Sequence, residues 1–224
     1  MELKGKTALV TGGTDGIGLE IARQMMAKGA SVIVCGRRDD VLASAQQEGL
    51  EAIKADLSNA AGCAELAAAL AGRELDILIN NAGMSGNFGP GEPLDLALTD
   101  QAIFLNLNAP LHLIGHLLPG LLQRPEASIV NVTSGLAIAP RAGGPVYCAS
   151  KAGLRSFTLA FPPGFLEGQD IGASVACDGC CLTVTAHRDG HQDQVDLVAH
   201  NERRAVREVL GELQGAVTRK QLVI

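Results

Sequence analysis

The sequence predicts a single doubly wound α/β domain, a parallel sheet with helices on both faces, and three observations carry that expectation. Short apolar runs at residues 7–10, 31–35, 76–79 and 128–132 alternate with segments of helical periodicity, the spacing of successive βαβ units. The first run leads into the glycine-rich stretch Thr11-Gly12-Gly13-Thr14-Asp15-Gly16-Ile17-Gly18 and then into an apolar-periodic segment at residues 19–28, and strand, glycine turn and helix in that order build a phosphate site. At 224 residues with 47% hydrophobic and 19% charged residues, the chain has the size and composition of one large globular domain, taken here as residues 1–224.

The elements follow in order. Backbone amides and the helix N-terminus after residue 10 face an anion, with Gly12, Gly16 and Gly18 letting it approach, although their spacing is not G-x-G-x-x-G. The second strand, residues 31–35, ends in Gly36-Arg37-Arg38. In dinucleotide folds an acid at this place takes the ribose hydroxyls, whereas an arginine accommodates a 2′-phosphate. Arg37 therefore favours NADP(H), with NAD(H) the alternative. Asp39 and Asp40 follow at once and Asp15 puts a carboxylate in the phosphate turn, which weighs against that preference. Residues 51–54 read as a third strand whose end delivers Asp56, a candidate for an adenine, and a helix is expected from about residue 59 to 71. Residues 76–79 run into Asn80-Asn81-Ala82-Gly83, and residues 84–93 are a Gly/Pro-rich loop.

Residues 96–122 are mostly helical in pattern, with Asn106 inside an apolar run; a buried amide there must be a structural hydrogen bonder or a water holder. Residues 128–132 form the fifth strand and deliver Ser134 at the edge where ligands of open parallel sheets bind. Tyr147, the only tyrosine, and Lys151 then stand at i and i+4. On a helix they share one face, and the ammonium favours the phenolate. A serine hydroxyl aimed at the same spot can hydrogen-bond a substrate oxygen as charge shifts on it. Reduction of a carbonyl or oxidation of an alcohol needs such a set.

Composition excludes several classes. The formal net charge is -6 at pH 7 with no basic stripe, so nucleic acid is not an expected partner. The N-terminus enters a strand directly, and no secretory leader is expected. The run most like a membrane span, residues 103–122, is interrupted by Asn106, Asn108, Pro110, His112, His116 and Pro119 and reads as a buried helix, with no membrane partner. Six cysteines, Cys35, Cys63, Cys148, Cys177, Cys180 and Cys181, follow no regular framework, which suits a reducing cytoplasm. None of them meets a second ligand cluster at zinc spacing, so no metal site is expected.

Residues 1 to about 160 resemble the short-chain dehydrogenase/reductase family through four ordered motifs. Residues 11–18 are similar to its TGxxxGIG turn, Asn80-Asn81-Ala82-Gly83 to its NNAG, Ser134 with Tyr147 and Lys151 to its catalytic set, and Asn106 to the asparagine that completes the tetrad. The resemblance implies a Rossmann-like domain acting on a small carbonyl or alcohol substrate. It implies Tyr147 as general acid/base, Lys151 binding nicotinamide ribose, Ser134 orienting the substrate oxygen and Asn106 holding a water in a proton relay. Gly12, Thr14, Gly16, Ile17, Gly18, Arg37, Asp56, Asn81 and Gly83 would contact the cofactor together with Tyr147 and Lys151. A homodimer or homotetramer is implied as well.

The resemblance weakens after residue 160. Phe161-Pro162-Pro163-Gly164 should stop the catalytic helix and weaken the oligomer that such a helix commonly helps to form. Residues 171–176 read as a sixth strand. Asp178-Gly179-Cys180-Cys181-Leu182-Thr183 takes the place of the family's PGxxxT, leaving Thr183 as a cofactor contact. Residues 172–186 are also similar to a short motif of the lumazine-binding barrels of riboflavin synthase, but over fifteen residues with no second copy flavin binding is not expected. Residues 184–224 would supply a short lid, a charged helix at about 193–213 and an edge-strand remnant at 220–224. The competing expectation is a dinucleotide-binding sensor or scaffold of the same fold that has lost catalysis.

Overall fold

The computed structural model describes residues 1–86 and 93–159 and the strands at 174–177, 180–188 and 191–198, with side chains described as far as residue 157. In chain order the elements are β1 (Thr7–Thr11), α1 (Gly16–Ala27), β2 (Ser31–Gly36), α2 (Asp39–Gln47), β3 (Glu51–Lys54), α3 (Ala60–Ala69), β4 (Ile77–Asn80) and α4 (Leu96–Ile103). A π turn (Phe104–Asn108), α5 (Ala109–Leu121), β5 (Ser128–Asn131), a 3₁₀ turn (Gly135–Ala137) and α6 (Pro145–Leu159) follow, and then β6 (Ser174–Cys177), β7 (Cys180–Arg188) and β8 (His191–Val198).

Five strands pair in parallel in the order β3-β2-β1-β4-β5. Successive residues of each central strand enter opposite cores, which is the pleat expressed as two layers. Ala8, Val10, Val32, Val34, Ile77, Ile79 and Val130 pack with Ile21, Ala22 and Met25 of α1 and Ala45 of α2. Leu9, Ile33, Cys35, Leu78 and Ile129 pack on the other side with Cys63 and Leu66 of α3 and Leu113, Ile114 and Leu121 of α5. The apolar runs read from the sequence are therefore buried on both faces. Strand order reverses between β1 and β4, and in such sheets the crevice at the C-terminal edge beside that reversal takes ligands.

At the opposite edge a buried carboxylate ties three strands together. Asp76, 1% exposed, accepts from Thr7 N at 2.9 Å and from Arg124 Nε at 2.9 Å, while its own backbone N–H and carbonyl bond Thr7 and Ser128. Helices open with the caps their sequences offer: Asp15 accepts from Gly16 N, Asn59 from Gly62 N and Asp95 from Leu98 N.

Three sequence expectations are corrected. The helical pattern over residues 96–122 is two helices separated by a π turn. The sixth strand is not an extension of the parallel sheet: Ser174–Cys177 pairs antiparallel with β7, which pairs antiparallel with β8 in a separate sheet ordered β6-β7-β8. The helix expected from about residue 193 is strand from His191 to Val198. Residues 194–197, Gln-Val-Asp-Leu, alternate polar and apolar, and period two prevails once β7 offers a partner. The helix α6 is described as far as Leu159; the Phe161-Pro162-Pro163-Gly164 segment expected to stop it, the rest of the 193–213 helix and the 220–224 strand lie outside the described residues.

Replacing Asp76 by Ala orphans a buried N–H, and urea unfolding should register a loss of about 1–3 kcal/mol. Burial pushes the thiol of Cys35 up to about 12 and that of Cys63 up to about 11, against 9.0 for a free thiol. Above pH 9 an unfolded chain loses protons that the folded chain keeps, so stability should fall with rising pH through the window up to about 12. Cys35 alone contributes a slope of about 1.4 kcal/mol per pH unit, and a Cys35→Ala variant measured by denaturation at pH 8 and 10 should show a flatter dependence.

Candidate active site

The C-terminal edge of the sheet is locked first at the point of strand reversal. Thr11 Oγ1 accepts the backbone N–H groups of Asn81 and Ala82, each at 3.0 Å, and donates to the carbonyl of Ile79 at 3.4 Å. Asn81 returns its amide hydrogens to the carbonyls of Thr11 at 3.0 Å and Gly12 at 3.4 Å. The end of β4 thus fixes the glycine turn after β1. A Cβ on Gly18 would run into Asn81 Nδ2 and Gly12 O, so this glycine lets the helix close on the strand. Gly16, at φ +53, has nothing within 4 Å of where a Cβ would stand, so the N-terminus of α1 opens onto free space. Thr14 is buried beside Gly36, and Ile17 packs against the core beneath the sheet. The turn and its open helix N-terminus fit a pyrophosphate.

Beside this turn, two arginines lie at the end of β2. Arg38 Nη2 reaches Asp15 Oδ2 at 3.0 Å, and both groups are exposed. The charge of Arg37 acts instead on Asp56, past the end of β3. Partial burial would raise the Asp56 carboxyl, but the N–H and hydroxyl of Ser58 and the Arg37 guanidinium outweigh it and hold the group below the usual carboxylate range. Lys54 pairs with Asp39 at 2.7 Å. Each cation at this end of the crevice has an acid beside it.

At the other end stand the residues of the acid/base set. Lys151 is 3% exposed; its Nζ donates to the carbonyl of Val132 at 2.6 Å and lies 5.8 Å from the centroid of the half-buried Tyr147 ring. Ser134 caps the 3₁₀ turn, its Oγ accepting from Leu136 N at 3.2 Å. The helix α6 that carries Tyr147 and Lys151 packs on this turn, on the π turn and on β5, so the two functional segments share one corner of the sheet. Gly83 is exposed, and a Cβ there would come within 3.1 Å of Asn106 Oδ1 and 3.6 Å of Lys151 Nζ.

Asn106, fully buried in the π turn, bonds the backbone of Met84 twice, accepting from its N–H and donating to its carbonyl, both at 2.8 Å. Its second amide hydrogen goes to Ser150 Oγ at 3.0 Å, and that hydroxyl donates to the carbonyl of Tyr147. Of the two sequence readings the side chain is the structural bonder. Pro110 lacks an N–H, so the backbone carbonyl of Asn106 has no donor four residues on.

The sequence did not single out Ser150, the Val132 carbonyl, the Met84 backbone or the Arg38–Asp15 pair. Spacing offered no signal for the first three, whereas Arg38 was visible beside Arg37. Thr183 falls in β7 opposite Ser174 and Val195, its side chain outside the described residues. Among the described residues no three His, Cys, Asp or Glu side chains gather as a metal site, and no helix is long and apolar enough to cross a membrane.

Comparison with known proteins identifies the family and agrees with the fold. The pattern of the short chain dehydrogenase family matches residues 6–194. The uncharacterized oxidoreductase DltE of Bacillus subtilis (strain 168) is 41% identical over 165 residues, which span 71% of this chain and 65% of that protein. The short chain dehydrogenase/reductase dpchG of Colletotrichum higginsianum is 37% identical over 213 residues, 85% of this chain and 77% of that one. A metagenomic short-chain oxidoreductase solved in complex with NADP superposes with a TM-score of 0.64 at 34% identity, covering 70% of this chain and 75% of its own. With a lysine–tyrosine pair, a fixed glycine turn and a family pattern running through both, the chain belongs to the short-chain dehydrogenase/reductase family.

Proposed function

We propose that this protein interconverts a carbonyl and an alcohol on a small molecule, using NADP(H) in preference to NAD(H). The observation that carries the reading is the buried Lys151 ammonium 5.8 Å from the Tyr147 ring, at the sheet edge where Ser134 also stands. Bound in the crevice, the nicotinamide would supply or take the hydride at the substrate carbon.

The chain's own residues then handle the oxygen. Ser134 Oγ already accepts from Leu136 N, which leaves its hydrogen to be donated to the substrate oxygen. Tyr147 gives a proton to that oxygen in reduction and takes one in oxidation, and the nearby ammonium favours its phenolate form. Lys151, steadied by the Val132 carbonyl, also serves the nicotinamide ribose. Asn106 holds α6 against the loop after β4, and its carbonyl, facing a proline four residues on, accepts a water through which the proton is replaced. Gly12, Thr14, Gly16, Ile17 and Gly18 contact the phosphates through backbone groups. Asn81 and Gly83 line the neighbouring ribose region, Asp56 takes the adenine, Arg37 faces the 2′-phosphate and Thr183 the nicotinamide end. NADP bound to the metagenomic relative supports the cofactor preference. The buried free thiols of Cys35, Cys63 and Cys148 support a cytoplasmic setting. Assembly as a homodimer or homotetramer is part of the same reading, and a light-scattering mass tests it.

Titration with NADPH and NADH followed by nicotinamide fluorescence, then addition of a panel of aldehydes, ketones and diketones, should show tighter binding of NADPH and its consumption. In Tyr147→Phe, turnover should drop by about 10²–10⁴, the contribution of a positioned acid/base, while NADPH affinity stays within about threefold of the parent. Retained turnover would overturn the assignment, and binding without turnover on any carbonyl would favour the sensor or scaffold.

A further inference from the structure

The position before Gly16 holds an acid in a turn that fits a phosphate, and that acid is bonded to an arginine two residues past the next strand. Asp15 does two jobs through its two oxygens. Oδ1 accepts from Gly16 N at 2.8 Å and caps α1; Oδ2 accepts from Arg38 Nη2 at 3.0 Å. Arg38 is itself the residue that opens α2, so the contact joins the loop after β1 to the loop after β2, whose strands are paired with Thr11 opposite Cys35. The two loops touch closely, since a Cβ on Gly36 would stand 2.6 Å from Thr14 Oγ1. An adenosine ribose held at the end of β2 would therefore carry a 2′-phosphate toward this ion pair.

Resting on the NADP(H) reading, we propose that Asp15 is a specificity-setting positioning residue: it competes with the 2′-phosphate of the cofactor for Arg38 and so lowers the preference for NADPH over NADH. An exposed ion pair of this kind is weak. Arg38 can leave Asp15 for a phosphate, whose charge and fork geometry it matches better. The exchange is incomplete in its benefit, because it leaves Asp15 without its cation. NADH has no group that enters the exchange. Arg37, whose charge also acts on Asp56, faces the same phosphate and adds to NADPH affinity whether or not Asp15 is charged.

Asp15→Asn separates the two jobs, since asparagine caps a helix as well as aspartate does but carries no charge. By fluorescence titration the variant should bind NADPH about three- to fivefold more tightly, the scale of one exposed ion pair, with NADH affinity unchanged. Asp15→Ser, which also caps without charge, should behave alike. In an Arg38→Gln background the NADPH affinity should be weaker and Asp15→Asn should no longer improve it. The gain should shrink in high salt. An unchanged ratio of NADPH to NADH affinity in Asp15→Asn, an equal gain for both nucleotides, or a gain that persists without Arg38 would each overturn the proposal while leaving the dinucleotide site intact. A parent protein that binds neither nucleotide would overturn the dinucleotide reading and this inference with it.

Discussion

One buried carboxamide holds the corner on which the site is built. Asn106 has no access to solvent, so each polar atom it leaves unbonded costs about as much as a lost hydrogen bond. Its amide hydrogens and its carbonyl oxygen are placed by two elements that are remote in sequence, the loop after β4 and the helix α6. Moving either element breaks bonds that water cannot replace. The position of α6 fixes Tyr147 and Lys151 together, and Lys151 reaches back to the carbonyl of Val132, just past the end of β5. Besides the packing of α6 on its neighbours, one side chain and one carbonyl thus tie the proposed acid/base pair to the edge of the sheet.

The other end of the crevice is arranged on a different principle. Thr11, Asn81 and the glycine turn are joined by short neutral hydrogen bonds among partly buried groups, which favour a single geometry. The cations beside them, Arg38, Lys54 and Arg37, meet carboxylates in the open, where screening and side-chain freedom keep each contact weak. Rigid backbone donors and loosely held charges suit a ligand whose pyrophosphate is invariant and whose ribose substituent is not.

How much of this was legible in the sequence depends on how local the signal was. The glycine turn, the paired asparagines, the tyrosine and lysine one helical turn apart and the four apolar strands are each written within a few residues, and each stands where its pattern placed it. The roles of Ser150, the Val132 carbonyl and the Met84 backbone are not local. They are set by contacts that span 44, 19 and 22 residues, and no periodicity encodes them. The strand at 191–198 reads as helix from sequence because two aspartates and two glutamines outweigh an alternation only four residues long. The separation of β6 from the parallel sheet was invisible for a related reason: four apolar and small residues make a strand in either setting, and only the neighbour decides which.

The π turn at Phe104–Asn108 has a bearing on how such a chain can change length. A π turn takes up one residue more than a regular turn, and the helices on either side keep the faces they would present without it. Wound as ordinary helix, the same residues would turn α5 by about 100° and lift Leu113, Ile114 and Leu121 from the sheet. A chain lacking one residue at this place would keep both helices seated and its core filled, yet Asn106 would lose the bulge that brings it to Met84 and Ser150. Architecture and site are therefore separable by a single residue of chain length, with the fold surviving a change that the site does not.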